Sequence, residues 1–104
     1  MQTILIIEND IEELDNLLGI FQEWQTELQI LTARDEPSSW ETMKNNQVDL
    51  LLCSMELKDK EGNRFIEGLT EKFPYIPCIG MTSEHKEEPG LLQGISALHE
   101  RPYN

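Results

Sequence analysis

VDLLLCSMELKDKEG, residues 48–62, is the stretch on which the fold turns. Residues 48–53 form a short run, apolar apart from Asp49. The absence of strict alternation predicts a strand buried on both faces, at the centre of a parallel sheet. Residues 54–62 are polar and end on glycine, which predicts a loop directly after the strand. Working outward, residues 3–7 (TILII), 28–33 (LQILTA) and 76–81 (IPCIGM) are further short apolar strands. Amphipathic segments separate them. Ile11, Leu14, Leu17, Leu18, Phe21 and Trp24 recur at spacings of three and four, with Glu12, Glu13, Asp15 and Glu23 on the other side. Asp10 stands where it can cap that helix. Pro37 suits the first turn of a second helix running to about residue 45. Phe65, Ile66, Leu69 and Phe73 mark a third, closed by Pro74. Residues 83–94 hold a weaker helical pattern broken by Pro89 and Gly90, and residues 95–98 suit a fifth short strand. Strands alternating with helices predict a doubly wound five-stranded parallel α/β sheet. Its functional crevice lies at the carboxyl ends of the strands. Glu8, Asn9, Ser54, Thr82, Ser83 and Arg101 are therefore the residues to inspect.

The chain has 104 residues, which suits one domain spanning 1–104 with one core. Hydrophobic residues make up 38% and charged residues 27%, a globular balance. Twenty acids against eight bases give a net charge of −12, which argues against nucleic-acid and anionic-membrane surfaces. No basic leader and no apolar run near the ~18 residues of a membrane span is present, so a cytoplasmic protein is expected. Cys53 and Cys78 lie inside apolar runs, without metal spacing, and read as reduced core residues. His85 and His99 have no patterned partners and read as surface residues. No GxSxG elbow surrounds Ser54, so hydrolase chemistry is disfavoured. The acids of the loop, Glu56, Asp59 and Glu61, do not fit a calcium-loop pattern and read as a solvated face.

Four ordered segments carry a resemblance: ILIIEND (4–10), DLLLCSMELKDKEG (49–62), IPCIGMTS (76–83) and RPYN (101–104). Together they resemble the receiver domain of two-component response regulators over nearly the whole chain. The resemblance implies a flavodoxin-like strand order, 2-1-3-4-5. It also implies a site at which an aspartate accepts a phosphoryl group beside a magnesium ion, a lysine and a switch hydroxyl. By position, the acceptor falls on Ser54 and the acidic pair on Glu8 and Asn9. The metal-binding carbonyl falls on Glu56, the switch hydroxyl on Thr82, the lysine on Arg101 and the switch aromatic on Leu98.

The departures all point one way. Ser54 is neutral, a weak nucleophile without an adjacent base, and would form a stable ester rather than an acyl phosphate. Asn9 removes a second carboxylate, leaving Glu8. Magnesium dehydrates reluctantly and wants carboxylates or phosphate, so its binding is expected to be lost and no cofactor is expected. Arg101 offers a planar fork suited to Glu8, and a pair at ~4 Å is worth on the order of 4 kcal/mol of Coulomb attraction before desolvation. The alternative places Arg101 in solvent. Thr82 serves either as a switch hydroxyl or as a cap for the segment after it. The leading expectation is a pseudo-receiver, not an enzyme, that signals by contact with another protein or with a second copy of itself. A phosphorylated regulator using Asp10, Asp59 or Ser54 is the rival, and a small enzyme on this fold ranks last. The resemblance implies a final helix after Pro102, and that helix is expected to be missing. A shortened chain, a tail beyond the given sequence, and a covering subunit compete to explain that. The covering subunit is preferred, because uncovered apolar surface near Phe21 and Trp24 would mark an interface.

Overall fold

The computed structural model describes residues 2–22 and 27–82 in full and residues 97–100 as backbone. Along the chain run β1 (Gln2–Ile7), α1 (Ile11–Phe21), β2 (Leu28–Ala33), α2 (Glu36–Asn45), β3 (Leu50–Ser54), α3 (Phe65–Lys72), β4 (Cys78–Thr82) and β5 (Ala97–Glu100). They build one sheet in the order β2-β1-β3-β4-β5, with every neighbouring pair parallel. This is the flavodoxin-like arrangement expected from the alternation of strands and helices.

Period-two alternation within each strand assigns side chains to two cores. Leu5 and Ile7 of β1, Leu51 and Cys53 of β3, and Cys78 of β4 join Met43 of α2 and Phe65, Ile66 and Leu69 of α3. Ile4, Ile6, Leu52 and Met81 join Leu14 and Leu17 of α1 on the other face. Both faces of β1 and β3 are therefore buried, which explains why their sequences read as continuous apolar runs. Trp40 closes the larger core edge-on to Phe65, with ring centroids 5.0 Å apart, and Lys72 Nζ lies 4.9 Å from the Trp40 ring.

The local signals in the sequence have physical counterparts. Asp10 caps α1, accepting from the backbone N–H groups of Glu12 and Glu13. Asp35 caps α2 in a reciprocal box with Ser38, with Pro37 in the first turn. The Phe73 N–H reaches back to the Leu69 carbonyl as α3 ends, and Pro74 follows.

Four expectations need correction. β4 begins at Cys78, not Ile76, because the Ile76 N–H is turned to Phe73 O and Pro77 has no N–H to pair. β3 begins at Leu50, not Val48, and extends through Ser54. β5 lies two residues later than residues 95–98, since its register with β4 runs from Ile79↔Ala97 to Thr82↔Glu100. The apolar cue stopped at Leu98, whereas the strand includes His99 and Glu100. Ile11 was expected on the buried stripe, yet it begins the helix at the margin of that stripe and is 56% exposed. Cys53 and Cys78 are buried in the core and lie outside any disulfide, as expected. Trp24, His85, the segment 83–94, and Pro102 with the chain end all lie outside the described residues. Among the described residues no helix is long and apolar enough to cross a membrane.

Candidate functional site

The order β2-β1-β3 makes the chain wind in opposite directions on either side of β1, the place at which folds of this winding form their functional crevice. Glu8 lies just beyond the carboxyl end of β1, and Ser54 lies at the carboxyl end of β3. Ile7 pairs with Cys53 across these strands, so the next residues, Glu8 and Ser54, stand level. Both are fully buried. Ser54 in turn pairs with Met81, which puts Thr82 one step further along the neighbouring strand. The sheet thus brings Glu8, Ser54 and Thr82 to one end, as the sequence indicated.

Each residue is held by backbone. The Glu8 N–H donates to Ala33 O at 3.0 Å, carrying the β1–β2 ladder one residue past the strand. Its Oε2 accepts the Asp10 N–H at 3.2 Å. The same carboxylate therefore faces the crevice end of the sheet and fixes the turn into α1. Asn9 lies between them and is exposed. Ser54 Oγ accepts the Glu56 N–H at 3.3 Å, and the Ser54 carbonyl accepts from Cys53 Sγ at 3.5 Å. The Glu56 side chain is exposed. The Met55 N–H donates to Met81 O at 2.8 Å, clamping the loop after β3 to β4. Thr82, 7% exposed, ends β4. Leu98 pairs in register with Gly80, while Arg101 lies outside the described residues.

In the loop after β3, Glu56 and Glu61 are exposed, as a solvated face requires, whereas Asp59 is half-buried. Asp59 Oδ1 accepts the N–H groups of Glu61 and Asn63, both at 2.9 Å. Its own N–H donates to Asn63 O, and Gly62 turns there at φ +86, a conformation glycine adopts without steric cost. Lys58 and Arg64 bridge across the base of this loop. Sequence reasoning missed this role of Asp59. The cue was the Asp-x-x-Gly spacing, because aspartate commonly bonds backbone N–H groups just ahead of it. The carboxylates of Asp10 and Asp59, the two alternative acceptors, are thus each engaged with backbone donors. Among the described residues, no three His, Cys, Asp or Glu side chains form a group able to hold a metal ion.

Comparison with known proteins agrees with this geometry. A family model described as "Response regulator receiver domain" matches residues 4–98. Response regulator GtcR of Aneurinibacillus migulanus is 24% identical over 107 residues, covering 100% of this chain. The chain spans 43% of that relative's length. A two-component response regulator from Clostridium difficile superposes with a TM-score of 0.80 at 20% identity, covering 100% of this chain and 86% of that one. Response regulator TrrA from Thermotoga maritima, solved in complex with Mg(2+)-BeF, gives 0.80 at 18% identity, covering 100% and 90%. The matched family model covers most of the chain, including all three segments that build the crevice, and the chain belongs to the response regulator receiver domain family.

Proposed function

We propose that this receiver domain works as a pseudo-receiver: it signals through protein contact without aspartyl phosphorylation. One observation carries the reading. The residue level with Glu8 at the end of the central strand is a fully buried serine whose Oγ accepts a backbone N–H. A hydroxyl there is neutral and has no carboxylate basicity, so it neither forms an acyl phosphate nor ligates a cation as an anion. Glu8 supplies the one carboxylate of the three positions, because Asn9 is an amide and Ser54 a hydroxyl. Magnesium held by one or two carboxylates plus phosphate is poorly served by that donor set. The residues do not fit the ion.

Glu8 has acquired a structural task instead, since its carboxylate holds the Asp10 N–H at the start of α1. In this reading the fold is kept for its surfaces, and the occupant is a signalling partner protein or a second copy of the chain. Arg101 in place of lysine and Leu98 in place of an aromatic belong to the same pattern of departure. Asp10 and Asp59, the alternative acceptors, each have a structural role in the backbone: Asp10 caps α1 and Asp59 organises the loop after β3.

The test is intact-mass analysis after incubation with acetyl phosphate and magnesium. The expected result is an unchanged mass. A gain of one phosphoryl group that is labile to hydroxylamine identifies an acyl phosphate and overturns the proposal.

A further inference from the structure

A second recess lies at the opposite end of the sheet, where β3 and β4 begin. It has a volume of about 270 Å³ and sits between the end of α2, the start of β3 and the connection from α3 to β4. Asn46, Gln47, Asp49, Phe73 and Tyr75 supply the polar and aromatic lining. The geometry points to a binding site for the side chain of an arginine presented by a partner protein.

The size is the first reason. Drug-sized ligands occupy roughly 300–1,000 Å³, so this recess suits a single side chain. Its chemistry is the second. Among the described residues, Asp49 is the only charged one of the lining, with no Lys, Arg or His beside it there. Its Oδ2 accepts the Thr3 N–H at 2.7 Å, which fixes the carboxylate, and an ionised carboxylate retains further lone pairs beyond that bond. The Asn46 Nδ2 donates to Thr42 O at 3.0 Å, so the amide's donor end is anchored on α2 and its other end is an acceptor. The aromatic wall is the third. Phe73 and Tyr75 stand edge to face, with centroids 6.4 Å apart at 76°, and Tyr75 is 77% exposed. A planar guanidinium donates to a carboxylate while stacking on an aromatic ring, which an ammonium does less well. Lys72, at the end of α3, is placed over Trp40. Finally, a net charge of −12 steers basic segments toward the molecule.

The experiment titrates isotope-labelled protein with N-acetyl-arginine amide and, separately, with the neutral isostere N-acetyl-citrulline amide, following amide shifts. The expected result is saturable shifts at residues 46–49 and 73–76 with the arginine compound alone. Asp49→Asn is expected to weaken binding roughly tenfold, as loss of a charge-assisted bond does. Tyr75→Ala is expected to weaken it about threefold while leaving the fold intact, because that ring is exposed. Equal shifts with citrulline, no saturable shift with arginine, or a titration unchanged in both variants overturns the assignment. The recess is remote from Ser54, so this result is read independently of any phosphorylation assay.

Discussion

Replacing Ser54 with aspartate recreates the charge that the site lacks, and its consequence follows from the register of the sheet. Residues 8 and 54 stand level on adjacent strands, and both side chains are fully buried. Strands lie ~4.8 Å apart, so two carboxylates here repel by about 3 kcal/mol at an effective dielectric of ~20. That repulsion raises the new group's folded-state pKa by about 2 units, and burial raises it further. The sign is fixed. A carboxyl whose folded pKa is raised leaves stability intact below its unfolded value, near 4, and removes it as pH rises through the folded value. Ser54→Asp should therefore match Ser54→Asn at pH ~4 and fall below it by about 3 kcal/mol at pH ~7.5. Urea unfolding in EDTA measures the difference, and the asparagine variant subtracts the change in shape. Adding Glu8→Gln should restore most of the lost stability, giving a coupling of about 3 kcal/mol in the double-mutant cycle. Magnesium should stabilise the aspartate variant and leave the natural chain unchanged. Equal stability of the aspartate and asparagine variants at pH ~7.5, with no coupling to Glu8, would refute the claim that these positions share one buried site.

Other outcomes follow from the same structure. Phe65, 1% exposed and packed against Trp40, is a core anchor, and Phe65→Ala should cost about 3–5 kcal/mol in chemical denaturation. Burial pushes the Cys78 thiol up to about 12. Its folded pKa is thus raised above its unfolded value, ~8.5, so stability is retained below pH ~8.5 and declines toward pH ~12. A thiol reagent at neutral pH should modify Cys53 and Cys78 at the rate of unfolding, and immediate modification of the native protein would contradict their placement. The Ser38 side chain and N–H hold the Asp35 carboxyl below its usual 3.8. That depressed pKa stabilises α2 above pH ~4, and the contribution disappears as pH falls through the folded value. Asp35→Asn should accordingly lower helix stability at neutral pH and converge with the natural chain in acid, as read by circular dichroism.

The architecture was legible because burial on both faces writes itself into sequence. Residues 4–7 and 50–53 are apolar without alternation, which a parallel central strand requires and an edge strand does not. Boundaries were less legible where backbone chemistry rather than apolar content sets them. Pro77 excludes residues 76 and 77 from β4, and pairing with β4 carries β5 past its last apolar residue. The crevice residues were legible because they follow the strands directly. Glu8 and Ser54 fall level because Ile7 and Cys53 are in register. What the pattern did not disclose was the use made of the polar groups. Glu8 bonding the Asp10 N–H, and Asp59 organising residues 59–63, are short-range backbone contacts invisible to hydrophobic periodicity. The recess at Asp49 was missed for a different reason. Its lining comes from two separate stretches, residues 43–49 and 73–76, that meet only once the sheet is assembled.

The central claim is that the crevice beside Ser54 no longer receives a phosphoryl group. Beryllofluoride with magnesium mimics that group on a carboxylate, and amide shifts report its binding directly. Titrated into the natural chain, it should leave residues 8, 54 and 82 unmoved while an aspartate-bearing receiver in the same buffer responds. Saturable, magnesium-dependent shifts at those three residues would contradict the account.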